Sequence, residues 1–386
     1  MFRSFFSIGL SLLVALVALA GCSSSTSSTS PTPTPQGSGY KHIFYIMMEN
    51  HATNEIIGNS TDAPYVNQLT SQYGYATSYL GVTHPSLPNY LAAISGDFQG
   101  IWDDCKAGVA VTCTPEEFAP DSGYTNKMEL LTQDEITSAT HKPHMFSGQN
   151  IVDQLEAHHL TWKAYMQSMP SVGFNGEYYP VDTVQGKQVP IKLYAQKHNP
   201  FLYFSDIVNN ASRVQKIVPF DQFGQDISSS NVPNFVWISP DQCHDMHGVS
   251  SSNAKALNMP DCASPSSGLD HKVIAMGDKF LSQLVPMIMS SPAWKEKSAI
   301  VIAWDEDDYA GYAGCCNSPK GVNGITLGGA NAPLLVITSQ GAHHIVLSDN
   351  SYNHYSLLAT IENLFGLGCL ANACGLQGDS LMTRLF

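Results

Sequence analysis

An alternation constrains this chain more than any other feature. Apolar, β-rich runs (HIFYIMM, NFVWISP, SAIVIAW and APLLVIT) take turns with longer segments of helical character: APYVNQLTSQYG, NIVDQLEAHH, LDHKVIAMGDKFLSQLVPMIMSS and YSLLATIENLFG. TSYLGV and TWKAYM read as further strands. Strand-like and helix-like segments in succession, with no internal repeat, predict an α/β fold: a central, mostly parallel sheet with helices on both faces. Only the stretch from Asp97 to Ser147 breaks the pattern. It is irregular and rich in turn residues, and is expected to be an insertion over one sheet edge.

Polar groups gather where the strands end. HIFYIMM runs into Glu49-Asn50-His51, TSYLGV into Thr83-His84-Pro85-Ser86, NFVWISP into DQCHDMHG, and SAIVIAW into Asp305-Glu306-Asp307-Asp308. In open parallel sheets ligands bind at the carboxyl ends of the strands, so these four groups are expected to converge on one site. Each alone has a plainer reading. A serine at a helix start usually caps it, His84 would support the turn, His51 would be a solvent-facing neighbour, and Asp307 and Asp308 read as loop acids. Four such groups at one edge outweigh the separate explanations.

Lys and Arg total 18 against 32 Asp and Glu, and no basic cluster follows an aromatic-rich segment. A net charge of −14 sets nucleic acid aside as a partner. At the N-terminus, Arg3, the apolar run IGLSLLVALVALA and the segment LAGC resemble a bacterial lipoprotein signal. The resemblance implies cleavage before Cys22, lipidation of its sulfur and attachment to a membrane through that anchor, on the outer side of the cytoplasmic membrane. Residues 1–21 are then the signal, 22–39 a Ser/Thr/Pro-rich tether with almost nothing to bury, and 40–386 the folded domain. Of nine cysteines, eight follow Cys22, an even number that outside the cytoplasm points to disulfides. Short separations favour Cys105–Cys113, Cys243–Cys262 and Cys369–Cys374. The adjacent Cys315 and Cys316 are left for a vicinal bridge or for exchange with the others, and spacing does not fix the connectivity.

The words IMMEN, THPSLPNYLAAISG, IVDQLEAHHLTWKAYMQSMP, KHNPF, CHDMHG, WDEDD and NHYSLLATIENLFGL occur in that order. With them the chain resembles, continuously from about His42 to Phe365, the bacterial and fungal phosphoesterases that include acid phosphatases and non-haemolytic phospholipases C, within the alkaline-phosphatase-like superfamily. Related nucleotide pyrophosphatases open a segment resembling T-x-P-N with a threonine nucleophile. SLPNYLAAISG puts Ser86 in the nucleophile's place and Asn89 in that of the asparagine. The resemblance implies that Glu49, Asn50, Asp305 and Glu306 ligate a divalent metal ion. It also implies that Asp245, His247 and His354 either form a second metal position, making one or two ions, or bind phosphate and protonate the leaving oxygen. In KHNPF, His198 and Asn199 are assigned to the substrate, with loop bracing as the plainer reading of His198.

The chemistry of the residues agrees. A serine hydroxyl needs a base or a metal to attack phosphorus at a useful rate, and carboxylates and amide oxygens are hard ligands suited to a divalent cation. A helix start at Ser86 adds N–H donors for phosphate oxygens. The expectation is a metal-dependent phosphoric ester hydrolase, foremost a phosphomonoesterase working through a phosphoserine. Protonated His247 and His354 would offset the charge of a terminal phosphate in mildly acidic medium. A phospholipase C-type phosphodiesterase ranks second, because the chain ends soon after its last core helix. Third is a lipoprotein that binds phosphorylated ligands without turnover, against which the intact serine and ligand set argue.

Overall fold

The computed structural model describes Met1 and residues 37–115, 130–308 and 311–386. The chain divides into Met1–Pro33 and Thr34–Phe386, and the second unit holds the sheet. The expected signal, Cys22 and most of the tether lie outside the described residues. Among the described residues eleven strands follow one another: β1 (His42–Met48), β2 (Gly74–Leu80), β3 (Trp162–Met166), β4 (Tyr178–Val184), β5 (Lys187–Ala195), β6 (Ile217–Pro219), β7 (Phe235–Ser239), β8 (Ser298–Trp304), β9 (Asn331–Thr338), β10 (Val346–Leu347) and β11 (Tyr352–Asn353). The main sheet runs β10-β2-β9-β8-β1-β7-β3-β6, with β11 also beside β2, while β4 and β5 form a separate hairpin.

β1 and β8, at the sheet's centre, are buried along their whole length. Successive side chains of a strand point to opposite faces, so a strand covered on both sides must be apolar throughout. Ile43, Tyr45 and Met47 of β1 join one core with Val301 and Trp237. Phe44, Ile46 and Met48 join the other with Ile300 and Ile238. The first core is closed by the helices Ser86–Ser95, Ile151–Ala157 and His354–Phe365, the second by Pro64–Gln72 and His271–Met289. The expected α/β architecture with helices on both faces is present.

β9 departs from the parallel rule, pairing antiparallel with both β8 and β2. Among the described residues, the link from β8 holds only the 3-10 turn Val322–Gly324 and no helix to carry the chain back across the sheet. A strand that re-enters from the edge it left must run antiparallel. In the irregular stretch, the helix Gln133–Thr140 starts with a capping box between Thr132 and Glu135 and covers a small cluster with Trp102, Leu130, Leu131 and Leu327. Cys105–Cys113, Cys243–Cys262 and Cys369–Cys374 close local loops, and Cys315 bonds Cys316, which resolves what spacing left open.

Candidate active site

Register builds the centre of the site. Met48 pairs with Trp304, so Glu49-Asn50 and Asp305-Glu306 leave the sheet side by side. Asp305 N donates to Met48 O at 3.1 Å, and Asn50 N to Asp305 Oδ1 at 3.1 Å. Asn50 has φ +34°, a left-handed conformation that Asn tolerates better than most residues. From β2, Gly81 crosses the 329–330 backbone so closely that a Cβ on it would lie 2.8 Å from Gly329 Cα and 2.9 Å from Asp305 O. Glycine is what lets the Thr83–Ser86 turn approach the acids. Asn89 then locks the turn: its Oδ1 accepts from Val82 N (2.7 Å) and Thr83 N (3.2 Å), and its Nδ2 donates to Thr83 O (2.7 Å) and Pro85 O (3.3 Å). With its amide spent on backbone, Asn89 braces the turn rather than reaching toward a substrate.

Ser86 is the first residue of its helix, and Pro85 occupies the cap position without a side-chain cap bond. The plain capping explanation therefore fails. Ser86 Oγ lies 2.9 Å from Glu49 Oε2, 3.3 Å from Asn50 Oδ1 and 3.3 Å from Glu306 Oε1, and Lys197 Nζ donates to it at 3.2 Å. After β7, the turn Asp241–Gly248 is closed by bonds from His244 N and Asp245 N to Asp241 O, by left-handed Met246 and by the Cys243–Cys262 bridge. Asp245 O accepts from Glu49 N at 2.8 Å, tying this turn to β1. Between the two acids stands His198, its Nε2 3.0 Å from Glu49 Oε1, its Nδ1 3.2 Å from Asp245 Oδ2, and its ring stacked on Tyr90.

Glu49, Asp245, Asp305 and Glu306 are all buried. Burial first, and then neighbouring acids (Asp305 on Glu49, Glu49 on Asp245, Glu306 on Asp305, Asp104 on Glu306), push every one of these carboxyls well above its ordinary pKa. Glu49 Oε1, Asp245 Oδ2 and Asp305 Oδ2 have no hydrogen-bond partner. His198 cannot repair this, since burial, Lys197 and His247 hold it well below its usual value, and a neutral imidazole has one N–H for two carboxylates. Buried acids this poorly compensated, together with the Asn50 amide oxygen, are a donor set that fits a divalent cation. Asp103, Cys105 and Cys113 also bring ligand atoms within 4.8 Å of one another, but the two sulfurs are spent on their own disulfide.

The other expected residues fall into different places. His354 has both nitrogens engaged, Nδ1 with Tyr79 OH (2.7 Å) and Nε2 with Asp305 O (2.6 Å), so it clamps the Asp305 backbone. His247 lines a cavity of about 510 Å³ with Asp104, Tyr178, Lys192 and Lys197, and its Nδ1 bonds Gly248 O at 2.8 Å. Burial pushes His247 and His354 down to about 4, with Lys197 adding to the effect on His247. Neither carries the positive charge at mild acidity that the sequence reading asked of it. Asn199 is buried, donates to Tyr194 OH at 3.2 Å and lies away from the cavity lining, so its contacts are those of packing. His84, read as a turn support, bonds Glu306 Oε2 at 2.5 Å and Gly311 O at 2.9 Å, and so aims one of the acids.

Two residues escaped the sequence reading. Lys197 stands beside His198 in KHNPF, where its charge was the available signal. Asp104, from the irregular segment, bonds Lys197 Nζ through Oδ2 (2.7 Å) and Leu87 N through Oδ1 (2.9 Å). No motif marks it.

A model of the Phosphoesterase family matches residues 59–368. A protein of Kluyveromyces lactis named probable acid phosphatase is 23% identical over 327 residues, which cover 85% of this chain and 58% of that protein. A phosphatidylinositol-3-phosphatase of Mycobacterium tuberculosis is 24% identical over 334 residues, covering 85% and 78%. The chain thus spans just over half the length of the fungal relative. A solved structure from Vibrio parahaemolyticus, described as a protein in the alkaline phosphatase superfamily, superposes with a TM-score of 0.45 at 14% identity, covering 88% of this chain and 70% of that one.

Proposed function

Because this chain belongs to the Phosphoesterase family, we propose that it is a metal-dependent phosphoric ester hydrolase, a phosphomonoesterase that works through a phosphoserine at Ser86. The observation that carries the reading is the Ser86 hydroxyl. It caps nothing and lies within 3.3 Å of two oxygens of the buried acid set and of the Asn50 amide oxygen. Relatives named probable acid phosphatase and phosphatidylinositol-3-phosphatase support the phosphomonoesterase part of the reading.

In this reading Ser86 Oγ attacks phosphorus. The Oγ–P bond forms as the ester P–O bond breaks, and the hydroxyl proton passes to Glu49 Oε2, 2.9 Å away. One or two divalent ions, held by Glu49, Asn50, Asp305 and Glu306 and on the far side by Asp245, would supply positive charge against the transferring group and acidify the hydroxyl. His84 and His354 keep Glu306 and Asp305 in place. The alcohol leaves by the cavity that His247 lines and takes its proton from solvent there. Water then cleaves the phosphoserine, releasing inorganic phosphate and restoring the hydroxyl.

Purified protein assayed on p-nitrophenyl phosphate beside a phosphocholine diester, with and without chelator, tests this. Faster monoester turnover, lost on chelation, is expected. Preference for the diester would favour the phospholipase C-type reading, and binding without turnover the ligand-binding lipoprotein. The same reading places the protein outside the cytoplasm on a lipid anchor, in keeping with four disulfides among the described residues. Cys22→Ser is expected to free an active protein from the membrane fraction, and unchanged retention would count against lipidation.

A further inference from the structure

A phosphomonoester needs more positive charge than the histidines of this site provide. Its second ionisation, near pH 6, adds a charge that a diester lacks, and in transfer that charge spreads over three equatorial oxygens. A diester has a carbon substituent in place of the third charged oxygen. His354 has both nitrogens committed, His198 is wedged between two carboxylates, and His247 gives Nδ1 to a carbonyl. Among the described residues, the ammonium in contact with the nucleophile is that of Lys197, 3.2 Å from Ser86 Oγ.

We propose that Lys197 is a further catalytic residue, that its ammonium binds the oxygens of the phosphoryl group transferred to Ser86, and that this contact makes the site select monoesters over diesters, with Asp104 as its positioning residue. The inference rests on the phosphoesterase reading and deepens it by naming what sets the substrate class. Lys197 stands where the cavity meets the nucleophile, since it lines the former and touches the latter. Its side chain is only 12% exposed, so the charge acts in a poorly screened place.

The ammonium is also held still. Asp104 grips Lys197 with one oxygen and the second backbone N–H of the Ser86 helix with the other. Asp104 is itself fixed from both sides. Asp103 pairs with buried His144 at 2.6 Å, while Cys105 is bridged to Cys113 and accepts from Tyr203 OH at 3.0 Å through its carbonyl. The irregular segment therefore sets the position of a charge beside the nucleophile. During transfer Lys197 keeps its proton. The Ser86 proton goes to Glu49, and the alcohol takes its own from the cavity side.

The test compares p-nitrophenyl phosphate with bis(p-nitrophenyl) phosphate for the parent, Lys197→Met, Lys197→Arg and Asp104→Asn, each checked by circular dichroism and for bound metal, with inorganic phosphate binding measured by calorimetry. Lys197→Met is expected to lose about 10²–10³-fold in monoester kcat/KM, no more than roughly tenfold on the diester, and to bind inorganic phosphate at least about tenfold more weakly. Lys197→Arg should recover part of the monoester rate, and Asp104→Asn should shift the ratio in the same direction by less. Equal losses on both esters with unchanged phosphate binding would overturn the assignment. If Lys197→Met does not fold, the ratio in Asp104→Asn decides, and an unchanged ratio overturns it. A parent that cleaves neither ester overturns the phosphoesterase reading and this inference with it, whereas an active parent with equal losses overturns this inference alone.

Discussion

Two groups of acids in this molecule have similar composition and opposite character. Around Arg213, the carboxylates of Asp153, Glu156 and Asp206 meet a guanidinium that bonds all three, while Lys216 and Trp162 Nε1 add bonds to Glu156. Burial would raise the Glu156 pKa, but the bonds from Lys216, Trp162 and Arg213 win and hold it below the usual value. Glu49 goes the other way. Buried beside Asp305 and Glu306, and relieved mainly by Lys197, it is pushed well above its ordinary value and leaves Oε1 without a hydrogen bond. The number of acids does not distinguish the two groups. What does is depth together with donors. The acids around Arg213 have side chains 26–32% exposed and each meets the guanidinium, whereas those around Ser86 are fully buried. A chain that keeps unpaired carboxylates in its interior holds a place for something from outside.

The sharpest break in that contrast comes from the nucleophile. Ser86→Ala should lower turnover by about 10³-fold or more while the melting temperature stays close to the parent's, because a hydroxyl that caps nothing supports little of the fold. Near-normal turnover would remove Ser86 from the mechanism and leave Thr83 as the next candidate.

Next in size are the acids themselves. Glu49→Gln and Asp305→Asn should each cut activity by about 10²-fold and reduce metal per chain by elemental analysis, since each removes a charged ligand. They should also melt no lower than the metal-free parent, because each takes away a buried carboxylate with one oxygen that has no hydrogen-bond partner. Normal metal content and activity would make these carboxylates structural, like those around Arg213.

Arg213→Ala should invert the pattern. It leaves three carboxylates facing one another and is expected to cost about 3 kcal/mol in urea unfolding, with turnover per folded molecule unchanged. A loss of activity without a loss of stability would erase the distinction between the two regions.

Much of this could be read from the chain, and what could not has physical causes. The apolar runs of β1 and β8 and the acids that end them declared both the sheet's centre and its functional edge, because a strand buried on two faces has few other ways to be written. The direction of β9 was not legible, since APLLVIT is equally apolar read either way and the connection sets its sense. The β4–β5 hairpin did carry a signal that passed unread. Gln185 and Gly186 sit between two β-branched runs and take φ +52° and +76°, as a two-residue hairpin turn requires. His354 and His247 are one residue type with opposite fates, decided by whether both ring nitrogens meet a partner, and Asp104 comes from a segment without periodicity, 93 residues before the lysine it holds.

One buried acid sharpens the rule by standing outside it. Glu362 is 2% exposed on the His354–Phe365 helix, and burial raises its pKa to about 8 against weaker pulls from Gln154 and the Leu370 backbone. Among the described residues no acid contributes to its shift, so its raised pKa should appear in stability and not in catalysis. The sign follows from linkage. The folded chain holds the Glu362 proton where the unfolded chain has released it, so ionising this group weakens the fold progressively from about pH 4.5 to about 8, after which the cost is constant. Glu362→Gln, which cannot ionise, should match the parent below pH 4.5 and exceed its stability by on the order of 4 kcal/mol at pH 8, with kcat and metal content unchanged. Urea unfolding at both pH values reads this directly. An advantage that does not grow with pH would mean that Glu362 finds a donor in solution, and a change in metal content would extend the acid set around Ser86 to a helix now counted as packing.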